Sequence, residues 1–314
     1  MTDARLILLF LLPLLVAGCT NVRPAAKIGL VAPFEGLYRR TGYEALAAMR
    51  AAIADAPVTA IGMLPLALDD GHDPAQTRRT LDKLSVNGDV HAIIGPLSPE
   101  LAAVAVTALG EDAPPMLVPF APPDFAFTDA GAGASTWAAP LVQTVAAQAA
   151  AAGARGLVLA GWNAGWPALS DAAWSELAGL PVRLTDAPAD VTGAEAVMWL
   201  GAPDTGAAYL NALRLHQPDA QFWLGPTGGD PIFAERARSH DHVYWVVWTD
   251  DGYNGWAVAH APSSPAAYLV YRATQEAIRR IVGEVEAPLP PSTWRVQVYT
   301  FGADDQPLPY NPTP

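Results

Sequence analysis

From residue 27 onward, short apolar runs alternate with stretches whose apolar positions recur at helical spacing. Lys27 to Ala32 predicts a buried strand, ended by a turn around Pro33 and Gly36. Ala-rich, amphipathic Tyr43 to Asp55 predicts a helix. Met63 to Leu68 is the next expected strand, turning at Asp69-Asp70-Gly71. Asp73 is placed to cap a helix over Pro74 to Val86, with Pro74 in its first turn. Strand His91 to Ile94, helix Glu100 to Leu109 and strand Met116 to Val118 follow. Strands alternating with helices in this way predict a parallel sheet covered on both faces.

A Pro-rich stretch, Pro119 to Asp124, and a Gly/Ala-rich loop, Ala130 to Ser135, interrupt the pattern, which then restarts. Helices are expected over Leu141 to Ala152, Ala168 to Leu177, Thr205 to Leu215 and Ala266 to Ile281. Strands are expected over Gly156 to Ala160, Val197 to Leu200, Gln221 to Leu224, Val243 to Trp248 and Trp294 to Phe301. The reading is an α/β protein of two Rossmann-like, doubly wound lobes joined by a hinge. The change in composition places a crossover into the second lobe near Pro122.

The apolar run Leu6 to Val16 stands outside this pattern. It is shorter than the roughly twenty residues a membrane-spanning helix needs. A short apolar core ending in small residues is the pattern of a secretory signal. Val16-Ala17-Gly18-Cys19 resembles a bacterial lipobox and holds the only cysteine of the chain. That resemblance implies a signal peptide over residues 1–18, lipid attachment at Cys19 and a tether over residues 19–26.

Composition narrows the function classes. With 51% hydrophobic and 16% charged residues, the chain is not a disordered one. A net charge of −13 opposes nucleic-acid binding. A single cysteine makes no internal disulfide and no Cys-based metal site. No nucleophile elbow, phosphate-binding loop or zinc-binding helix motif is present, and Gly131-Ala132-Gly133 lacks the third glycine and the strand–helix setting of a dinucleotide site. His240 and His242 read as a polar loop rather than a metal site. Asp69-Asp70 and Asp250-Asp251 fall at strand ends, where acidic turn residues are ordinary. A non-catalytic protein without cofactor or metal is expected.

Six segments carry a resemblance in their order and spacing: Lys27 to Pro33 with Gly36 and Gly42, Asp69 to Pro74, Ile93 to Ser98, Pro115 to Pro119, Gly201 to Thr205, and Gly225 to Gly229. Together they resemble the leucine/isoleucine/valine-binding family of ABC-transporter receptors, the type I periplasmic binding proteins. The resemblance implies a first lobe of residues 27–121 plus 250–290 and a second of 122–249 plus 291–314, in an extracytoplasmic, monomeric receptor that closes the two on a small organic solute. It would deliver that solute to a membrane permease.

The implied site departs from the family. Where the family offers a Ser to an α-carboxylate, Pro99 stands, with Ser98 one residue earlier. Pro122 takes the place of a Thr, beside Phe120 and Ala121, and Thr227 that of an ammonium-binding acid. Tyr38, Phe120 and Trp166 are the aromatic candidates for the cleft, while Trp248 also suits core or hinge packing. Arg39-Arg40 suits either an anion or a solvated turn. The expected ligand is therefore amino-acid-like, an amide or an aromatic rather than a standard free amino acid. The alternative is a regulatory lipoprotein of the same fold that binds a protein partner such as a cell-wall synthase.

Overall fold

A computed structural model describes residues 24–127, 134–261, 264–283, 285, 289, 292–302 and 307–310. The expected signal segment, Cys19 and the Gly131–Gly133 loop lie outside these residues.

The first sheet has the order β2-β1-β3-β4 and is parallel throughout. Its strands are β1 (Ala25–Ala32), β2 (Gly62–Asp69), β3 (Val90–Ile94) and β4 (Met116–Leu117). Helices α1 (Arg39–Asp55), α2 (Pro74–Ser85) and α3 (Pro99–Ala108) connect them. The alternating faces of β1 show why both sides must be covered. Ile28, Leu30 and Ala32 pack with Ala45, Met49 and Ala52 of α1. Val31 joins Leu81 and Leu84 of α2 and Ala105 of α3 on the other face.

The second sheet has the order β11-β10-β9-β8-β7-β5-β6. Its parallel part comprises β5 (Gly156–Ala160), β6 (Val182–Leu184), β7 (Glu195–Trp199), β8 (Phe222–Leu224) and β9 (Val243–Thr249). Antiparallel β10 (Arg295–Phe301) and β11 (Pro307–Pro309) extend one edge. Helices α4 (Ala134–Ala151), α5 (Asp171–Ala178), α6 (Pro203–Leu213), α7 (Pro231–Arg236), α8 (Tyr253–Ala259) and α9 (Pro265–Val282) follow in chain order. After β9 the chain returns to the first lobe, where α9 packs along α1 and β3. Among the described residues, no helix is long and apolar enough to cross a membrane.

Several boundaries differ from expectation for physical reasons. α1 starts at Arg39 rather than Tyr43, with Gly42 inside its first turn. A Cβ at Gly42 would lie 1.8 Å from the Pro33 carbonyl oxygen, so close packing of the β1 loop requires glycine there. α4 starts at Ala134 and carries Pro140 within it. Buried Trp137, Ala138, Leu141 and Val142 hold this helix across a residue that ordinarily ends one. α5 begins at Asp171, after the Ser170 cap, rather than at Ala168. β6, α7, α8 and β11 were not expected; each is too short to show a period.

Candidate functional site

A cavity of about 80 Å³ lies between the lobes, beyond the carboxyl ends of β1, β2, β3, β4 and β8. The N-terminal turns of α1, α6 and α9 complete its wall. Open α/β sheets present their loops, and hence their ligands, at this edge.

Two adjacent turns of the first lobe supply most of its polar character. After β2, Asp69 Oδ1 accepts from the Phe34, Glu35 and Gly71 amides at 2.7, 3.3 and 3.1 Å, tying this turn to the β1 loop. Asp70 is fully buried. Its Oδ1 accepts from the His72 amide at 2.9 Å, while Oδ2 has no hydrogen-bond partner among the described residues. Burial pushes the Asp70 carboxyl up to about 6.

His72 has φ +54°, and that turn sets its ring 4.2 Å from the Tyr38 ring. Its Nε2 lies 3.0 Å from Glu100 Oε1. Burial alone would lower the imidazole pKa. The Glu100 carboxylate at ion-pair distance and the charges of Asp70 and Asp204 outweigh that effect, and the net shift is upward. Ser98 holds the N-cap position of α3, buried, and its hydroxyl has no hydrogen-bond partner among the described residues.

The lobes touch directly across the cleft. Tyr38 donates its hydroxyl to Asp204 Oδ1 at 2.5 Å. Burial, reinforced by Asp204, raises the phenol well above its ordinary range. Thr41 Oγ1 donates to Asp230 Oδ2. Asp230 also caps α7, accepting from the Ile232 amide at 2.9 Å, and burial raises its carboxyl. Asn163 Nδ2 donates to Glu100 Oε2 at 3.2 Å and to the Leu200 carbonyl at 3.1 Å.

Of the residues expected at the site, Tyr38, Ser98, Phe120 and Thr227 line this cavity; Pro99, Ala121, Pro122 and Trp166 do not. Pro99 begins α3 with its side chain buried. Ala121 and Pro122 are buried in the turns after β4. Trp166 is behind the wall, where its indole N–H donates to the Leu200 carbonyl at 2.9 Å and its ring lies 4.8 Å from Trp137. Trp248 is core: its N–H donates to the Trp137 carbonyl at 3.1 Å. Arg40 pairs with Glu44 at 3.3 Å on the surface. His240 stacks on Phe301, and among the described residues no group of His, Cys, Asp or Glu is placed to hold a metal ion.

Sequence reasoning missed Thr41, Asp70, His72, Asp204 and Asp230. It treated the Asp70 turn as ordinary and the second lobe as lacking an acid at Thr227. Asp230, three residues further on, lines the cavity instead. The available signal was position: each of these residues lies just beyond a strand's carboxyl end or in the first turn of the helix after it.

No protein-family model and no curated protein matches the chain. Solved structures do match. A possible leucine/isoleucine/valine-binding protein from Rhodopirellula baltica superposes with a TM-score of 0.66 at 16% identity, covering 92% of this chain and 98% of that one. A leucine-binding protein from Thermotoga maritima gives 0.64 at 13%, over 91% and 98% of the two chains. An ABC-transporter solute-binding protein from R. palustris, in complex with 4-hydroxybenzoate, gives 0.63 at 15%, over 91% and 95%. The chain has the two-lobed α/β fold of the type I periplasmic binding proteins.

Proposed function

We propose that the protein is an extracytoplasmic, non-catalytic solute-binding receptor of an ABC importer, working as a monomer. The observation that carries this reading is the cleft between the lobes. It is walled by apolar residues, yet it holds the unpartnered Ser98 hydroxyl and Asp70 Oδ2. Buried polar atoms without partners are costly, so a ligand that satisfies them has a ready source of affinity. The lobes, divided near residues 121, 249 and 290, would close on that ligand and present the closed surface to a membrane permease. Cys19 would carry the lipid that keeps the receptor at the membrane.

A thermal-shift screen of amino acids, amides, short peptides and aromatic acids tests the receptor. Stabilisation by a solute is expected, since a ligand that binds only the folded form raises its stability. Silence across the screen, with capture of a protein partner, would overturn it. The direct Tyr38–Asp204 and Thr41–Asp230 bonds favour a second reading, in which a closed protein of this fold regulates a protein partner such as a cell-wall synthase. For the anchor, Cys19→Ser should accumulate unprocessed precursor on gels. An unchanged precursor-to-mature ratio would refute lipidation there.

A further inference from the structure

We infer that the cleft takes a small organic cation, an ammonium group on a compact apolar body, rather than a carboxylate or a zwitterion. This rests on the receptor reading above and names the ligand class of the same site.

The charges around the cavity are one-sided. Glu44, Asp70 and Asp230 are in its wall, and no Lys or Arg is among the described residues that line it. Glu100 and Asp204 stand at its edge, joined to the lining residues His72 and Tyr38. The nearby basic groups are already engaged. Arg40 pairs with Glu44, His72 with Glu100, and Arg236 lies 3.8 Å from Asp204. Among the described residues neither Asp70 nor Asp230 is in a salt bridge: their carboxylates hold only hydroxyl or amide donors, and His72, whose charge reaches both, is already paired with Glu100.

The unpartnered atoms point the same way. Asp70 Oδ2 is fully buried and can only accept when ionised, and the Oγ of Ser98, which also lines the cavity, can accept as well. An ammonium brings three donors to two or more such acceptors and the charge that the carboxylate lacks. A carboxylate ligand meets the opposite situation. Like α6 and α9, which start with Pro203 and Pro265, α3 starts with Pro99, which has no N–H. Its next residue is Glu100, whose own carboxylate already faces that end of the helix dipole. The rest of the ligand would rest on Leu97, Leu101, Phe120 and Val270. With about 80 Å³ available, a short branched chain fits the closed cleft.

Isobutylamine, isobutyramide and isobutyrate share one carbon frame and differ in the head group, and leucine adds the zwitterion. Isothermal titration and thermal shift on the full mature chain should show isobutylamine binding more than about tenfold tighter than the amide, with no response to isobutyrate. Asp70→Asn should weaken amine binding by about tenfold or more and leave amide binding within about twofold. Asp230→Asn, which keeps a capping oxygen for α7, should weaken the amine as well. Amine binding no tighter than the amide, tighter isobutyrate or leucine binding, or a ligand from the broader screen without a cationic group would each overturn the inference while leaving the receptor intact. Silence from these probes and from the whole screen would remove both.

Discussion

Asp70 combines full burial, one unpartnered oxygen and a carboxyl pushed up to about 6. In the unfolded chain the same group ionises near 4. Below that pH the carboxyl is neutral in both states and its burial is not penalised. Between about 4 and 6 the unfolded form loses its proton first, so stability falls as pH rises; above about 6 the loss is complete. His72 acts with the same sign, because its raised value confers stability that disappears as pH passes upward through it. Glu195 opposes them: Arg183, at 2.8 Å, holds its carboxyl down to about 2, so its contribution is lost only in acid. The Asp70 share is isolated by difference. Asp70→Asn should add about 2 kcal/mol of stability at pH 7 and almost none at pH 4, measured by chemical denaturation without ligand. Equal gains at both pH values would show that the carboxyl is not the strained group. Nothing in the sequence separated Asp70 from its neighbour Asp69, or Asp250 from Asp251. One member of each pair is buried because of what packs over the turn, and that covering comes from distant segments.

At the scale of elements, the ends of the chain segments do most of the positioning. The start of α2 was legible because its signals are local: Asp73 accepts from the Gln76 amide at 2.8 Å, and Pro74 occupies the first turn. Asp73→Ala should cost about 1 kcal/mol in urea unfolding, with the helix still formed because its Leu81 and Leu84 remain packed in the core. The turn from β9 towards α9, an ordinary acidic turn by its sequence, is a buried junction. Asp250 Oδ2 lies 3.3 Å from Arg272 Nη1, and Oδ1 accepts from Tyr268 and from the Gly252 amide. Arg272 also stacks over Trp294, which precedes β10. One helix thereby holds the two segments that lead out of and back into the second sheet. Asp250→Ala would leave a guanidinium buried without its charge partner, a loss of about 3–5 kcal/mol. A loss below about 1 kcal/mol would place this junction in solvent rather than in the core. The parallel strands and long helices were legible because their periods repeat several times. The cavity was not, since Thr41, Asp70, His72 and Asp230 meet only when two lobes are folded and apposed.

For the whole molecule, closure depends on how near the lobes can come, and Gly165 sets that distance. It lies in the loop after β5, beside Asn163, whose side chain accepts from the Gly165 amide at 3.0 Å and reaches across to Glu100. A Cβ at Gly165 would stand 2.1 Å from the Pro99 carbonyl carbon, 2.2 Å from its oxygen and 2.6 Å from the Glu100 nitrogen. All three are backbone atoms of the first lobe, so no side-chain rotation relieves the overlap. The lobes themselves must separate. Gly165→Ala leaves each lobe's own core untouched while making the closed form costly, so the population moves to the open form. Small-angle scattering should then give a larger radius of gyration than the unsubstituted chain, whose closed form is already held by Tyr38–Asp204 and Thr41–Asp230. Affinity for any solute bound between the lobes should drop about tenfold or more, because binding would have to recover the lost closure energy. The melting temperature of the free protein should move by only about a few degrees, since one glycine and the cleft contacts are a small part of its stability. A protein that keeps both its radius and its affinity after Gly165→Ala binds without this closure, and the lobe contacts described here would then be no part of how it holds its ligand.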